Sequence, residues 1–473
     1  MDLAKAIAVK PTKRQLAWQA TEFYGFIHFG MNTMTENEWG DGTEDPALFQ
    51  PTDLDCRQWV RALKAGGMKG AILTCKHHDG FCLWPSKVTN HTVAASPWRQ
   101  GKGDVVAEMA AACQESGLKF GIYLSPWDRN HPSYGSGGPY DDFYLAQLTE
   151  LLTNYGEIFE VWLDGATGSG SKRQQYDWER YFATVRSLQP NAVIAVCGPD
   201  VRWIGNEGGA TRQEEWSVVP ASLQSAERTV SLSQNEDNGF RQTISSSEAD
   251  LGSRQALANH DGPLVWYPAE VDVSIRPGWF YHPAEDQQVR PAENLWQLYR
   301  HAVGGNACLL LNIPPDKSGK IAEVDCQSLE RLGSYLAKFN QNNLVNTAKI
   351  EGIGTIHYHF ENGYLRIQET SLEDENPPAQ NRRLSFEWEQ PVTLDTITIK
   401  ERIEAGQRIE KLTILQEVAG TLVPITTCGT IGYQRILDFP AVTTQKIVLE
   451  ITESRGAISL ADIVIADHRH LHL

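Results

Sequence analysis

A chain of 473 residues is too long for one ordinary hydrophobic core, so a large domain followed by a smaller one is expected. Its net charge of −17 and the lack of any Lys/Arg-rich run exclude dependence on nucleic-acid phosphates. No window approaches the roughly 18 continuous apolar residues of a membrane span, and eight scattered cysteines without a C-x-x-C pair argue for buried free thiols over a zinc cluster.

The N-terminus is mixed and charged, with no apolar signal core, so the protein reads as soluble and either intracellular or exported with its signal removed. From residue 20 to 315, short apolar runs alternate with amphipathic stretches, the pattern of βα units around a parallel sheet. Strands are expected at 22–29, 70–75, 119–125, 159–164, 192–197, 214–219, 263–267 and 307–313, a number that suits a (β/α)8 barrel. Helical spacing of apolar residues predicts helices over 56–65, 104–116, 142–154, 178–188 and 292–303. Residues 222–262, polar and Ser-rich, read as long loops or a degraded helix, so the barrel is expected to be irregular there. After a helix over 324–339, short strands separated by turns follow at 354–360, 364–369, 383–388, 393–400, 411–417, 436–439, 446–452 and 460–466. The fold class is therefore α/β, an irregular (β/α)8 barrel over residues 1–339 followed by a C-terminal antiparallel β-sandwich over 340–473, with the boundary at the Asn/Gln-rich patch 340–346.

In the run Phe159-Glu160-Val161-Trp162-Leu163-Asp164-Gly165, an apolar strand ends abruptly in a carboxylate. Parallel barrels hold their active sites at the C-terminal ends of their strands, so Asp164 is a catalytic candidate, although an Asp in that place also caps helices. Trp162, two residues earlier, shares its face and is expected to floor any pocket. Other strand ends carry His28, then Glu38 and Trp39 after a short loop, then His77 and His78, then Tyr123. Such a mouth could hold a divalent metal or a sugar. Adjacent His77 and His78 would point to opposite sides of a strand, unlike the H-x-H pair of barrel zinc hydrolases, so no metal is expected. Imidazoles and Glu38 suit sugar hydroxyls, and indoles suit apolar sugar edges.

These residues resemble the family 29 glycoside hydrolases, the retaining α-L-fucosidases. The agreement runs through His77-His78-Asp79-Gly80-Phe81, Trp84-Pro85-Ser86, Val161-Trp162-Leu163-Asp164-Gly165, Gly278-Trp279-Phe280-Tyr281-His282 and Leu309-Leu310-Leu311-Asn312-Ile313-Pro314-Pro315. The resemblance implies that Asp164 is the nucleophile and that the substrate partner is a fucosylated glycan, with no cofactor. A retaining glycosidase also needs a second carboxyl about 5 to 5.5 Å away, first as proton donor and then as base. Arg202-Trp203-Ile204-Gly205-Asn206-Glu207 resembles the R-W-x-G-N-E segment of a subgroup acting on α-1,3/1,4 fucosyl branches, which implies Glu207 as acid/base, with Glu270 as the alternative. By the same match His28, Glu38, Trp39, His77, His78 and Tyr123 bind fucose hydroxyls, while Trp279 or Phe26 faces the C6 methyl, worth about 0.8 kcal/mol per buried carbon. Segments 402–408 and 431–435 resemble the galactose-binding-like domain that follows many such barrels. The alternatives are another retaining glycosidase, a metal-assisted hydrolase, or a non-catalytic glycan-binding protein.

Overall fold

Runs such as Gly70–Lys76 and Ala307–Asn312 are buried along their whole length, as strands of a parallel sheet covered on both faces must be. The computed structural model describes residues 3–233, 250–339, 341, 343–369 and 382–469. Its barrel strands begin with β1 (Phe23–Ile27), β2 (Gly70–Lys76), β3 (Lys119–Leu124), β4 (Glu160–Leu163), β5 (Val193–Val196) and β6 (Arg202–Trp203). A short antiparallel pair, β7 (Val218–Pro220) and β8 (Leu264–Trp266), stands outside, and β9 (Ala269–Ser274) and β10 (Ala307–Asn312) complete the sheet. The order is β5-β4-β3-β2-β1-β10-β9-β6, parallel throughout, and a parallel bridge from Ala195 to Val201 brings β5 to the start of β6 and nearly closes the barrel.

Two expected strands are corrected. Segments 214–219 and 263–267 supply the separate antiparallel pair, while the sixth and seventh barrel positions belong to Arg202–Trp203 and Ala269–Ser274. A two-residue strand has no periodicity to read, and Ala269–Ser274 carries Glu270 and Asp272 in a place where an apolar run is the usual signal. Of the loop-rich stretch 222–262, the helix Ala226–Leu232 is described, and residues 234–249 lie outside the described residues, as do 340 and 342 of the expected boundary.

The outer helices form where the spacing predicts them, at Cys56–Ala65, Val105–Ser116, Gly138–Asn154, Trp178–Leu188 and Ala292–Ala302. Asp55, Asp104 and Asp177 start three of them by accepting a first-turn amide N–H. Gly25 in β1 lets the first of these helices approach, since a Cβ there would stand 2.6 Å from a Leu63 methyl.

Alternation along each strand builds the barrel interior in layers. The lower layer takes Tyr24, Glu160 and Glu270. Trp18 donates its indole N–H to Glu160 Oε2 at 2.9 Å, Tyr24 OH donates to Glu270 Oε2, and Trp162 Nε1 donates to Glu270 Oε1 at 2.7 Å. Both carboxyls are fully buried, and burial pushes both upward, Glu160 further because Glu270 faces it. One step further along the same strands come Phe26, Trp162 and Asp272, then His28, Asp164 and Ser274 at the mouth.

The C-terminal sheet is antiparallel and folds over itself as a sandwich. Its strands are β11 (Lys349–Gly354), β12 (Ile356–Glu361), β13 (Tyr364–Glu369), β14 (Arg382–Glu401), β15 (Ile409–Val418), β16 (Thr421–Cys428), β17 (Arg435–Ser454) and β18 (Ser459–Ala466). β14 and β17 run the length of the domain, paired to each other, with register shifts near 387–392 and 394–396. The first part of β14 also pairs β11 and the last part pairs β18, so the two long strands serve both layers. Phe386, Ile397, Ile399, Ile447, Leu449 and Trp388 fill the space between. Among the described residues no helix is long and apolar enough to cross a membrane. All eight cysteines are free thiols, seven of them buried.

Candidate active site

β4 stops at Leu163, and Asp164 follows at the barrel mouth. Its Oδ2 accepts the Tyr123 hydroxyl at 2.8 Å, its Oδ1 accepts the Ala166 amide at 2.8 Å, and its side chain is 20% exposed. It opens into a cavity of roughly 630 Å³, mouth included, which Glu207 also lines. The floor is aromatic: Trp162 stacks on Tyr123 with ring centroids 5.3 Å apart, and Phe26 leans on Trp162 at 5.3 Å.

The imidazoles enter from β1 and the end of β2. Asn312 Nδ2 donates to the Trp279 carbonyl at 2.8 Å, which fixes its amide so that Oδ1 faces His28 Nδ1 at 2.8 Å. His28 therefore donates from Nδ1, and its Nε2 is an acceptor. The same logic applies to His78. Ser125 donates its hydroxyl to the Trp127 carbonyl, so it must accept from His78 Nδ1 at 2.7 Å, leaving His78 Nε2 as an acceptor 3.9 Å from Asp164 Oδ2. Burial holds His28 down at about 3 and His78 at about 4, and drives His77 well below its usual range.

His77 and His78 both line the cavity, with ring centroids 4.0 Å apart. The expected opposition of their side chains is corrected, because β2 ends at Lys76 and alternation lapses beyond it. Among the described residues no group of three or more His, Cys, Asp or Glu side chains could hold a metal ion.

Glu38 reaches across to the loop after β9. It accepts the amides of Trp279 and Phe280 at 2.9 and 3.0 Å and His282 Nε2 at 2.7 Å. That hydrogen bond raises the His282 pKa. Gly278 is needed here, since a Cβ would sit 2.6 Å from Glu38 Oε1. Three of about four carboxylate acceptor positions are taken, leaving one for a ligand hydroxyl. Trp39 stands edge-on to His78 at 5.3 Å, and Trp279 lies 5.1 Å from the His28 ring.

The alpha-L-fucosidase family model matches residues 13–341, more than half of the chain. The chain belongs to the alpha-L-fucosidase family. Alpha-L-fucosidase 1 of Arabidopsis thaliana is 39% identical over 463 residues, spanning 96% of this chain and 84% of the plant protein. A putative alpha-L-fucosidase from Bacteroides ovatus superposes with a TM-score of 0.84 at 42% identity, covering 99% of this chain and 75% of that one. A Ruminococcus gnavus family 29 fucosidase in complex with fucose superposes at 0.78 with 28% identity, covering 97% and 95%.

In this alpha-L-fucosidase, Glu270 is fully buried beneath Trp162, held by Tyr24 and Trp162, and does not line the cavity. The alternative acid/base is corrected on that ground, since a sealed carboxyl cannot reach a leaving oxygen. The carboxyl that β9 does present is Asp272, which accepts the Trp203 indole N–H at 2.7 Å and is pushed well up by burial and by the facing Glu207 and Glu270. Sequence reasoning missed Asp272, along with the orienting residues Asn312 and Ser125. Two-residue alternation from Glu270 would have found Asp272 had β9 been recognised.

Two outcomes are expected of the fucosidase pocket. Glu38→Ala orphans three donors and should cost about 1 to 3 kcal/mol in denaturant unfolding while raising KM for any fucoside; unchanged KM would remove Glu38 from the pocket wall. His78→Gln should raise KM about 10-fold, roughly 1.4 kcal/mol, by weakening one acceptor. Because a lowered imidazole pKa means the neutral form persists above about pH 5, that variant should keep both limbs of its kcat/KM profile in place. A limb that moved would mean this imidazole titrates in the working range.

Proposed function

We propose that this alpha-L-fucosidase releases terminal α-1,3/1,4-linked fucose from glycans by double displacement, with Asp164 as nucleophile and Glu207 as acid/base. The observation that carries the reading is the setting of Asp164, a partly exposed carboxylate oriented by Tyr123 and Ala166 in the cavity that Glu207 also lines. Asp164 attacks the anomeric carbon while Glu207 gives its proton to the departing glycosidic oxygen. Glu207 then takes a proton from water, which displaces Asp164 and restores the original anomeric configuration.

The other roles follow from chemistry. His28 and His78 present acceptor nitrogens, so they take hydroxyl donors, and His78 Nε2, 3.9 Å from Asp164 Oδ2, would accept one sugar hydroxyl beside the nucleophile. His77, Tyr123, Glu38 and Trp39 complete the hydroxyl contacts, Trp162 floors the pocket, and Phe26 or Trp279 covers the C6 methyl. Apolar selection of that methyl gives only roughly 10 to 200-fold preference, so hydroxyl contacts carry the rest. An aromatic floor closes the pocket below, which suits an exo-acting enzyme on a terminal sugar.

The α-1,3/1,4 preference rests on the match of residues 202–207 to the subgroup motif. Hydrolysis of an α-1,3/1,4-fucosylated trisaccharide, followed by NMR, tests both parts. The α anomer of fucose should appear first, and an α-1,2-linked trisaccharide should be a much poorer substrate. The β anomer appearing first would end the double-displacement reading, and equal rates would end the linkage assignment.

A further inference from the structure

The barrel is thinnest beside Glu207, where β6 has two residues. The sandwich packs at that point through Gln407 and residues 429–435, in and beside the two segments, 402–408 and 431–435, whose use the pocket chemistry leaves unexplained. Residues 213–217, between the Glu207 loop and β7, are gripped from that side. The Gly429 and Thr430 amides donate to the Glu214 carboxylate at 3.2 and 2.7 Å, and Arg435 Nη1 donates to the Gln213 carbonyl at 2.8 Å. Gln407 Oε1 accepts the Ser217 amide at 2.8 Å, while its Nε2 donates to Thr430 Oγ1 at 2.6 Å. Asn306 ties the two sides together, donating to the Glu215 carbonyl at 2.7 Å and accepting the Tyr433 amide at 2.7 Å.

From the same five residues, bonds run inward to the pocket. The Glu215 carboxylate is fully buried and accepts from Arg202 and, at 3.4 Å, from Arg212. Arg212 also donates to the Ile204 carbonyl at 3.3 Å. Arg202 and Ile204 flank Trp203, which holds Asp272 in the pocket, and Glu207 follows Ile204 by three residues. Asn206 then staples the loop, accepting the Gly208 and Ala210 amides at 3.0 and 3.1 Å. A buried carboxylate between two guanidiniums is a structural node, because loss of that carboxylate would leave two buried guanidiniums uncompensated.

We propose that the sandwich is a positioning part of the active site: Gln407 and Glu215, acting through Arg202 and Arg212, fix the Glu207 loop, so delivery of the proton to the leaving oxygen depends on the C-terminal domain. The proposal rests on Glu207 being the acid/base. Displacement of a catalytic group by about 1 Å costs as much as 100-fold, so small changes at this distant contact reach the chemistry.

The test compares kcat/KM on two substrates in the full chain, a fucosyl oligosaccharide that needs acid assistance and α-L-fucosyl fluoride, whose leaving group needs little. Gln407→Leu should lower the oligosaccharide value about 10-fold or more and leave the fluoride value within about 3-fold, at a temperature where the variant is folded. Glu214→Gln, which weakens the same grip by another route, should show the same selective loss to a smaller extent. Glu207→Ala serves as the reference. If Glu207→Ala loses both substrates alike, the acid/base reading fails. If it shows the selective loss but Gln407→Leu and Glu214→Gln lower both substrates in parallel or neither, the positioning role is overturned with the acid/base reading intact.

Discussion

Asp164→Ala is expected to lower kcat/KM on a fucosyl oligosaccharide by a factor on the order of 10,000, equivalent to about 5 kcal/mol of transition-state stabilisation. Without the carboxylate no group at the end of β4 can attack the anomeric carbon, and the Tyr123 hydroxyl loses its acceptor. The fold should survive, because Asp164 is partly exposed and only one amide and one hydroxyl lose a partner. Azide fits the space the carboxylate leaves. Its attack on the anomeric carbon of fucosyl fluoride, with departure of fluoride, should yield β-L-fucosyl azide of inverted configuration. Undiminished turnover on the oligosaccharide would remove Asp164 from the mechanism.

Glu207→Ala should reduce kcat/KM on the oligosaccharide by roughly 100 to 10,000-fold, the usual worth of a positioned general acid, while fucosyl fluoride stays near the parent value. Azide should accelerate the second step here as well, but by displacing Asp164 from the fucosyl intermediate. The product is then α-L-fucosyl azide. Opposite azide anomers from the two variants separate nucleophile from acid/base without any assumption about rate. A near-normal oligosaccharide rate in Glu207→Ala would shift the proton donor to Asp272, a carboxyl raised by burial that also lines the cavity.

Asp164 was legible in the sequence because a parallel barrel gathers its chemistry at the C-terminal ends of its strands, and an apolar run closed by a carboxylate and a glycine marks such an end. The first five barrel strands and the last were legible in the same way, as continuous apolar runs. β9 was not, since the two buried carboxyls it carries, Glu270 and Asp272, break the apolar pattern. β14 and β17 read as two strands each because the chain changes layers near Gln390 and Pro391 in one and near Pro440 in the other. β11 contains two glycines and β16 buries only its last residue, so neither carries a clear alternation. The roles of Ser125 and Asn312 depend on which strands are neighbours across the barrel, information that local spacing does not hold. Segments 402–408 and 431–435 stood out by resemblance alone, and their contacts with residues 213–217 required the folded chain to be seen.

The identity of the nucleophile is tested most directly by trapping the intermediate. A 2-deoxy-2-fluoro-α-L-fucosyl fluoride loses its anomeric fluoride to the attacking carboxylate, and the 2-fluorine destabilises the cationic transition state enough to slow the second step. Peptide mass spectrometry of the inactivated enzyme should find one fluorofucosyl group on the peptide containing Asp164, attached at that residue and absent from the Asp164→Ala variant. Label on Glu207, on Asp272 or on no carboxylate at all would contradict the assignment.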